Sequence, residues 1–174
     1  MGGGGSKCQF PYKNGKPFNG IFDYLSKTYN GNPQTTGHVE VSSSSTSVRS
    51  VSKIEEVISE RNTGEWASNN EENSWIEFNF KDNSVFLTAY TVQTFGGDTG
   101  NMHMKSWKLE ASDDGYNWTI LDEQQNCQHL KGNGYIHTYK INKKLSKKYR
   151  YIRIRQTGPN WLHDQYFLII ESLE

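Results

Sequence analysis

Cysteine is scarce in this sequence, and its scarcity excludes several classes of protein. The 174 residues contain two cysteines, Cys8 and Cys127, which are too few for the disulfide framework that holds small secreted domains together. No CxxC motif or cysteine–histidine cluster is present, which argues against structural zinc. We therefore expect two free thiols in a reducing compartment and predict a cytoplasmic location, with an extracellular location as the alternative.

An excess of charge of one sign and long apolar runs are also lacking. Lys and Arg together number 19, as do Asp and Glu, so the formal net charge is zero. A neutral chain has no global field to attract nucleic acid. The mean hydropathy is −0.83, and no segment approaches the roughly 18 apolar residues of a transmembrane helix. We therefore predict neither a nucleic-acid partner nor membrane insertion.

The hydrophobic content is also low, at 33%, which by itself suits a disordered chain. Aromatic residues make up 13% of the sequence, however, and each aromatic side chain buries a large area. The composition therefore predicts one folded domain with a polar surface and an aromatic core.

Composition divides the chain into three regions. Residues 1–6 read as a start methionine and a flexible glycine–serine linker of artificial origin, and this linker indicates a piece of a larger multidomain protein. Residues 7–37 are rich in proline and Asn-Gly turn signals, but their apolar residues predict one short helix over residues 19–28. We expect this N-terminal extension to pack on the main domain, residues 38–174.

Alternating polar and apolar residues, typical of β-strands, replace the helical spacing after residue 38. The predicted strands span residues 39–43, 75–80, 85–95, 105–112, 117–121, 137–141, 148–156 and 166–173. Turn signals separate these segments, and no helical pattern lies between them. The pattern predicts an all-β fold, an antiparallel eight-stranded jelly-roll β-sandwich with a short N-terminal helix.

The lengths of the connections between these strands indicate where a ligand binds. If successive strands alternate in direction, every second connection lies at the same end of the sandwich. Three connections are short, at residues 81–84, 113–116 and 142–147. The other four are long, at residues 44–74, 96–104, 122–136 and 157–165. Binding residues concentrate on loops that a rigid scaffold holds, so the long-loop end is the predicted binding surface.

Three stretches of the sequence resemble the discoidin domain, also called the coagulation factor (F5/8) type C domain. They read GEWASNNEENSWIEFNF, KSWKLEASDDGYNWTIL and KYRYIRIRQTG, and the resemblance spans residues 37–173. The most specific part is SDDGYNW at residues 112–118, in which Asp114-Gly115 forms a hairpin turn. The second signature is RYIRI at residues 150–154. QTGPNW followed by YFLII is similar to the intracellular branch of the family.

The resemblance implies a galactose-binding-like sandwich that binds ligands rather than converting them. Members of the family include carbohydrate-binding modules, phospholipid-binding domains and substrate adaptors of ubiquitin ligases, which use the long-loop end. Many sugar-binding members hold a structural calcium in an Asp-Gly-Asn loop. The matching stretch here, residues 59–66, has a different spacing and no Asp. We therefore expect no cofactor, with Glu60, Thr63 and Glu171 as the oxygen ligands if calcium does bind.

Trp161 is the leading candidate for ligand contact because it follows a Gly-Pro-Asn turn in one of the long loops. An exposed Trp stacks on the apolar face of a sugar or anchors a protein interface, whereas the alternative is that it caps the core. Polar groups of a binding pocket are expected from nearby loop positions, namely Asp98, Asn101, His103, His163 and Asp164. The other four tryptophans lie in or beside strands and are expected in the core: Trp66, Trp75, Trp107 and Trp118.

Motifs of catalysis are absent from the sequence. It contains no GxSxG, HExxH, P-loop or GxGxxG pattern, and no spacing fixes a facing pair of carboxylates. We therefore expect no enzyme and no catalytic metal, and predict a binding module that recognises a glycan or small polar ligand through its long loops. The alternative is a protein–protein interaction domain of an intracellular adaptor, for example of the ubiquitin-ligase type, that uses the same loops.

Overall fold

The described part of the chain contains one α-helix, two short 3₁₀ helices at Ile54–Ile58 and Gln128–Leu130, which were not predicted, and ten short strands. The computed structural model describes residues 10, 15–59, 64–98, 100–142 and 147–174. Helix α1 spans Ile21–Tyr29. The strands are β1 Glu40–Ser43, β2 Trp66–Ala67, β3 Trp75–Asn79, β4 Ala89–Gln93, β5 Trp107–Ser112, β6 Thr119–Gln124, β7 Ile136–Lys140, β8 Tyr151–Gln156, β9 Ile169–Ile170 and β10 Ser172–Leu173.

The strands form antiparallel sheets with a shared core. The larger sheet has the order β1-β3-β8-β5-β6 and the smaller one the order β10-β4-β7, while β2 pairs with β9. Strand β8 shows how the sequence gives the sheet one buried face and one solvent-exposed face. Ile152 and Ile154 are buried, and they alternate with Tyr151 and Arg153 on the outer face, because successive side chains of a strand point to opposite faces.

The predicted fold class, an antiparallel β-sandwich with one short N-terminal helix, is confirmed, although the strand count differs. Each of the eight predicted strands overlaps an observed strand, but the last one divides into β9 and β10, and β2 was not predicted. The predicted strand over residues 85–95 is also too long. Strand β4 begins at Ala89, and Val85 makes only an isolated bridge with Tyr149.

Two tryptophans lie at the centre of the core, as predicted. Trp66 and Trp107 have no exposed surface. The Trp107 indole donates from Nε1 to the Tyr90 hydroxyl at 2.9 Å, and that hydroxyl donates to Asp122 Oδ2 at 2.7 Å. Burial, reinforced by the bond to Asp122, raises the pKa of Tyr90, so its hydroxyl stays protonated and remains a donor. The polar atoms of Trp107 and Tyr90 are thus satisfied through a chain of hydrogen bonds that ends at the half-buried Asp122.

The core prediction is wrong for Trp75 and Trp118. Both are half-buried, and they flank a cation on the outer face of the larger sheet. The Arg153 guanidinium lies 3.8 Å from the ring centroid of Trp118 and 6.0 Å from that of Trp75. Strand alternation places these rings opposite the core, where a planar guanidinium stacks on them.

Helix α1 begins two residues later than predicted and ends one residue later. Its buried residue Phe22 packs on Phe78 at a ring distance of 5.3 Å. The Glu174 carboxylate accepts hydrogen bonds from the backbone N–H groups of Phe22, at 2.7 Å, and Asp23, at 3.2 Å, and so satisfies two of the free donors that begin a helix. No helix in the described residues has both the length and the apolar character needed to cross a bilayer.

The strand registers place the four long connections at one edge of the sandwich. Ser43 at the end of β1 pairs with Ile76 near the start of β3. Trp107 at the start of β5 pairs with the ends of both neighbouring strands, at Gln156 of β8 and Gln124 of β6. The connections that leave or enter these positions therefore share one edge, which we call the long-loop end.

The SDDGYNW segment forms the tight turn between β5 and β6 at the opposite edge. The Asp114 carboxylate accepts the backbone N–H groups of Tyr116 and Asn117, each at 2.8 Å. Hydrogen bonds from Asn117 and Tyr116 hold the pKa of Asp114 well below its usual range. Gly115 adopts a φ of 78°, a left-handed conformation that a residue without Cβ adopts readily. This motif is therefore a structural turn away from the predicted binding surface.

Candidate functional site

Direct hydrogen bonds join the loops of the long-loop end to each other. The Trp161 backbone N–H donates to the His103 carbonyl at 3.2 Å, and the Gly134 N–H donates to the Phe95 carbonyl at 2.9 Å. The Asn70 side chain accepts the Tyr166 N–H at 2.6 Å. Segments far apart in the sequence thus hold one another in place, which gives the loops a defined surface.

Trp161 lies half-buried on this surface between two lysine side chains. The Lys131 ammonium is 4.3 Å from the centroid of the indole ring, and the Lys105 ammonium is 4.8 Å from it. Both distances are within the range of cation–π attraction. The indole Nε1 is buried and finds no acceptor among the described residues, so it is the other edge and the face of the ring that meet solvent.

The turn that carries Trp161 is closed by its neighbour Asn160. Asn160 has no exposed surface. Its backbone N–H donates to the Gln165 carbonyl at 2.8 Å, and its Oδ1 accepts the Leu162 N–H at 3.1 Å. Because these bonds fix both flanks of Trp161, the loop presents the indole from a rigid base rather than from a free segment.

Four of the predicted polar residues are exposed on two of these loops. His163 and Asp164 follow Trp161 and adopt left-handed conformations, with φ of 46° and 54°. In the loop between β4 and β5, the Asp98 carboxylate accepts the Gly100 N–H at 2.9 Å, and Asn101 has a φ of 69°. These four side chains are accessible to a ligand, and their role in binding stays a prediction.

His103, the fifth polar candidate, lies beneath the surface. Only 1% of it is exposed, and its Nε2 lies 2.8 Å from Asn133 Oδ1. Burial lowers the pKa of His103, and the hydrogen bond to Asn133 only partly offsets that effect. The imidazole therefore stays neutral near pH 7, and its bond to Asn133 links two loops. The linked loop carries the His103 carbonyl that accepts the Trp161 N–H, so this bond helps to position Trp161.

Lys105 and Lys131 are members of the site that sequence reasoning missed. Neither has a carboxylate within 4 Å among the described residues. Lys105 is the first residue of a predicted strand, and Lys131 lies 30 positions before Trp161. No local spacing in the sequence therefore connects either lysine to Trp161. These two lysines therefore concentrate positive charge beside Trp161, although the whole chain is neutral.

The described residues do not assemble a metal centre. Within these ranges, no three His, Cys, Asp or Glu side chains are placed to hold an ion. Of the alternative calcium ligands, Glu60 and Thr63 lie outside the described residues. The Glu171 carboxylate accepts from Gln93 Nε2 at 2.5 Å and from the Gly96 N–H at 2.9 Å. Both carboxylate oxygens of Glu171 therefore already accept hydrogen bonds, whereas calcium takes six to eight oxygen ligands, and we assign no ion.

Comparison with known proteins relates both the sequence and the fold to binding modules. The E3 ubiquitin-protein ligase Ufd4 of Drosophila melanogaster is 28% identical over 148 residues; this covers 82% of the chain but only 5% of that protein. Among solved structures, CpGH89CBM32-5 from Clostridium perfringens, in complex with GalNAc-β-1,3-galactose, matches with a TM-score of 0.63 and 20% identity, over 82% of this chain and 96% of that one.

A second solved structure, the family 32 CBM of C. perfringens NanJ in complex with galactose, matches with a TM-score of 0.61 and 13% identity, over 82% of this chain and 94% of that one. At these identities the structures establish the shared fold. The sequence model of the F5/8 type C domain matches residues 38–172, which is most of the chain. The chain therefore belongs to the F5/8 type C domain family.

Proposed function

We propose that this chain is a non-catalytic module that binds a glycan at its long-loop end. The observation that carries the proposal is the placement of Trp161, whose half-buried ring sits on a rigid turn among hydrogen-bonded loops. A flat aromatic ring on a fixed base suits the apolar face of a sugar. The fold relationship to modules solved with galactose and GalNAc-β-1,3-galactose supports the same reading.

The two lysines beside Trp161 favour a glycan with an acidic group. Their ammonium groups lie within 5 Å of the ring centroid and have no carboxylate partner in the described residues. A carboxylate or sulfate on the sugar would pair with these ammonium groups and draw them off the indole face, on which the sugar ring then stacks. The CBM32 of AlyQ, a structural relative at a TM-score of 0.57, was solved with 4,5-unsaturated mannuronic acid.

His163, Asp164, Asn101 and Asp98 complete the proposed site. These side chains are exposed on the two loops beside Trp161 and are proposed to bond the hydroxyl groups of the sugar. His103 is proposed to act indirectly, by holding the backbone of Trp161 in position. We retain the division of the chain into a linker at 1–6, an extension at 7–37 and a binding domain at 38–174.

A glycan-array screen that includes neutral and acidic glycans tests this proposal. The Trp161→Ala variant should weaken binding about five- to thirtyfold, as expected for an aromatic anchor worth about 1–2 kcal/mol. Tyr116→Ala is the matched control, because Tyr116 is 88% exposed at the opposite end.

Lys131→Gln should weaken binding of acidic glycans more than binding of neutral ones. If no glycan binds at millimolar concentration, the proposal is wrong, and equal binding by the Trp161 and Tyr116 variants would refute the assigned site.

The second candidate is a protein-interaction domain of an intracellular adaptor. Two observations favour it: the relationship to a ubiquitin ligase and the apolar side chains exposed in the long loops, with Val48 at 101%, Val51 at 73% and Leu162 at 43%. Apolar side chains exposed together mark interaction surfaces. Two results together would support this candidate. The glycan array would show no binding, and a purified ubiquitin-pathway protein would bind the wild type but not the Val48→Glu variant. These results would also support the predicted cytoplasmic location.

A further inference from the structure

A cavity lies at the edge opposite the long loops. It measures about 560 Å³ and lies between the segment that leads into α1 and residues 84–91. Ligand pockets commonly measure about 300–1,000 Å³, so the cavity is large enough for a small molecule. It shares no residue with the proposed glycan site.

The cavity exists because residues 84–88 do not continue strand β4. Val85 makes an isolated bridge with Tyr149, and regular pairing begins only at Ala89. The chain between them leaves a space that α1 and the segment before it cover incompletely. Apolar side chains line this space, including Ile21, Val85 and Leu87, and Phe86 is 50% exposed beside it. An apolar cavity that opens to solvent gains free energy when an apolar ligand fills it.

Positive charge borders the apolar lining. Lys16 and Lys148 both line the cavity and are exposed, and neither has a carboxylate within 4 Å among the described residues. The acidic residue in the lining, Glu174, already accepts two hydrogen bonds with its carboxylate oxygens, from the N–H groups of Phe22 and Asp23. The lysines are therefore the charges available to a ligand.

We propose that this cavity binds a small amphipathic anion. Its hydrocarbon or aryl body lies against Ile21, Val85 and Leu87, and its carboxylate or sulfonate faces Lys16 and Lys148. Apolar walls with a few charged groups at the opening are the usual composition of a site for such a ligand. Charge complementarity selects anions over neutral compounds of the same length, since an ammonium–carboxylate pair at the opening forms with little desolvation.

Fluorescence titration with 8-anilinonaphthalene-1-sulfonate, with decanoate as the competitor and decanol as its uncharged analogue, tests the proposal on the full chain. We expect saturable fluorescence that decanoate displaces at concentrations at least fivefold lower than decanol. The variant Ala89→Phe fills the cavity, because Ala89 lies in its wall, and should abolish the saturable signal. The double variant Lys16→Gln/Lys148→Gln should weaken decanoate about fivefold and leave decanol unchanged.

Two controls separate this site from general surface binding. Lys140→Gln removes an exposed lysine of β7 that does not line the cavity and should leave both ligands unchanged. Trp161→Ala should also have no effect, so failure of the glycan proposal is distinguishable from failure of this one. Saturable binding that survives both Ala89→Phe and the double lysine variant would overturn the proposal. So would equal displacement by decanoate and decanol, and so would the absence of any saturable fluorescence.

Discussion

Replacing Glu110 by Gln should destabilise the fold strongly, because this carboxylate joins two arginines on the outer face of the larger sheet. Its side chain is 4% exposed. Arg153 donates to Oε2 from Nε at 2.9 Å and from Nη2 at 2.7 Å. Arg155 donates to Oε2 from Nε at 3.1 Å and to Oε1 from Nη2 at 2.6 Å. The variant keeps the shape of the side chain and removes the charge that both guanidinium groups share.

The expected cost follows from how far the partners can rehydrate. Breaking a buried ion pair by removing one partner costs about 3–5 kcal/mol because the other charge is left uncompensated. Here the arginine side chains are 16% and 24% exposed, so water partly replaces the lost acceptor. We therefore expect a loss of about 2–4 kcal/mol in the free energy of unfolding, which lowers Tm by roughly 5–15 °C in a domain of this size.

Urea unfolding followed by tryptophan fluorescence measures this loss, and Glu123→Gln is the matched control. Glu123 also sits on the larger sheet, but its side chain is 38% exposed and its oxygen lies 3.7 Å from the Lys108 ammonium. Such an exposed pair contributes about 0–1 kcal/mol. If Glu110→Gln costs no more than Glu123→Gln, the buried carboxylate does not stabilise the sheet and the reasoning is wrong.

The pH dependence of the same variant gives an independent check. Burial alone would raise the pKa of Glu110, but hydrogen bonds from Arg155 and Arg153 outweigh it and leave the pKa lowered. A lowered pKa in the folded state means stability that is present above the unfolded value of about 4.5 and is lost as the pH falls through the folded value. The difference in stability between wild type and Glu110→Gln should therefore shrink below about pH 4.5.

Two further predictions concern the core and the helix. Trp107→Phe removes the indole donor to Tyr90 in a fully buried position, and urea unfolding should show a loss of about 1–3 kcal/mol from the lost hydrogen bond and the lost packing. Burial raises the pKa of Glu174 to about 7, so the folded state binds this proton more tightly than the unfolded state, and its contribution to stability falls as the pH rises through 7. Unfolding measured between pH 4 and pH 8 should show a smaller decline for Glu174→Gln than for the wild type; equal slopes would contradict the assignment.

Much of the fold could be predicted because the strands carry their own signal. In β8 the apolar residues Ile152 and Ile154 alternate with Tyr151 and Arg153, and the same alternation in the structure separates core from surface. The turn at Asp114-Gly115 could be located for a similar reason, since its conformation depends on local hydrogen bonds and a left-handed glycine.

The parts that could not be predicted depend on contacts distant in sequence. Strand β2 has two residues and exists because β9 pairs with it. Two residues are too few to show the alternation of polar and apolar side chains by which a strand is predicted. Trp118 was predicted to lie in a strand and in the core, but it directly precedes β6 and its ring packs on Arg153 at the outer face. The lysines at Trp161 and the buried position of His103 likewise follow from how loops meet, which no local pattern records.

The separation of the two proposed sites follows from the length of the strands between them. Strand β4 runs for five residues from Ala89, in the wall of the cavity, to Gln93. The long loop that follows Gln93 contains His103, whose carbonyl accepts the Trp161 N–H. At about 3.3 Å per residue strand β4 spans roughly 15 Å, beyond the range of direct contact and of most screened charge interactions at physiological ionic strength. Substitutions at one end therefore leave the residues of the other end in place. The Trp161 and Ala89 variants can each serve as the folded control for the other, because a change that affects both sites at once must act through the sandwich itself.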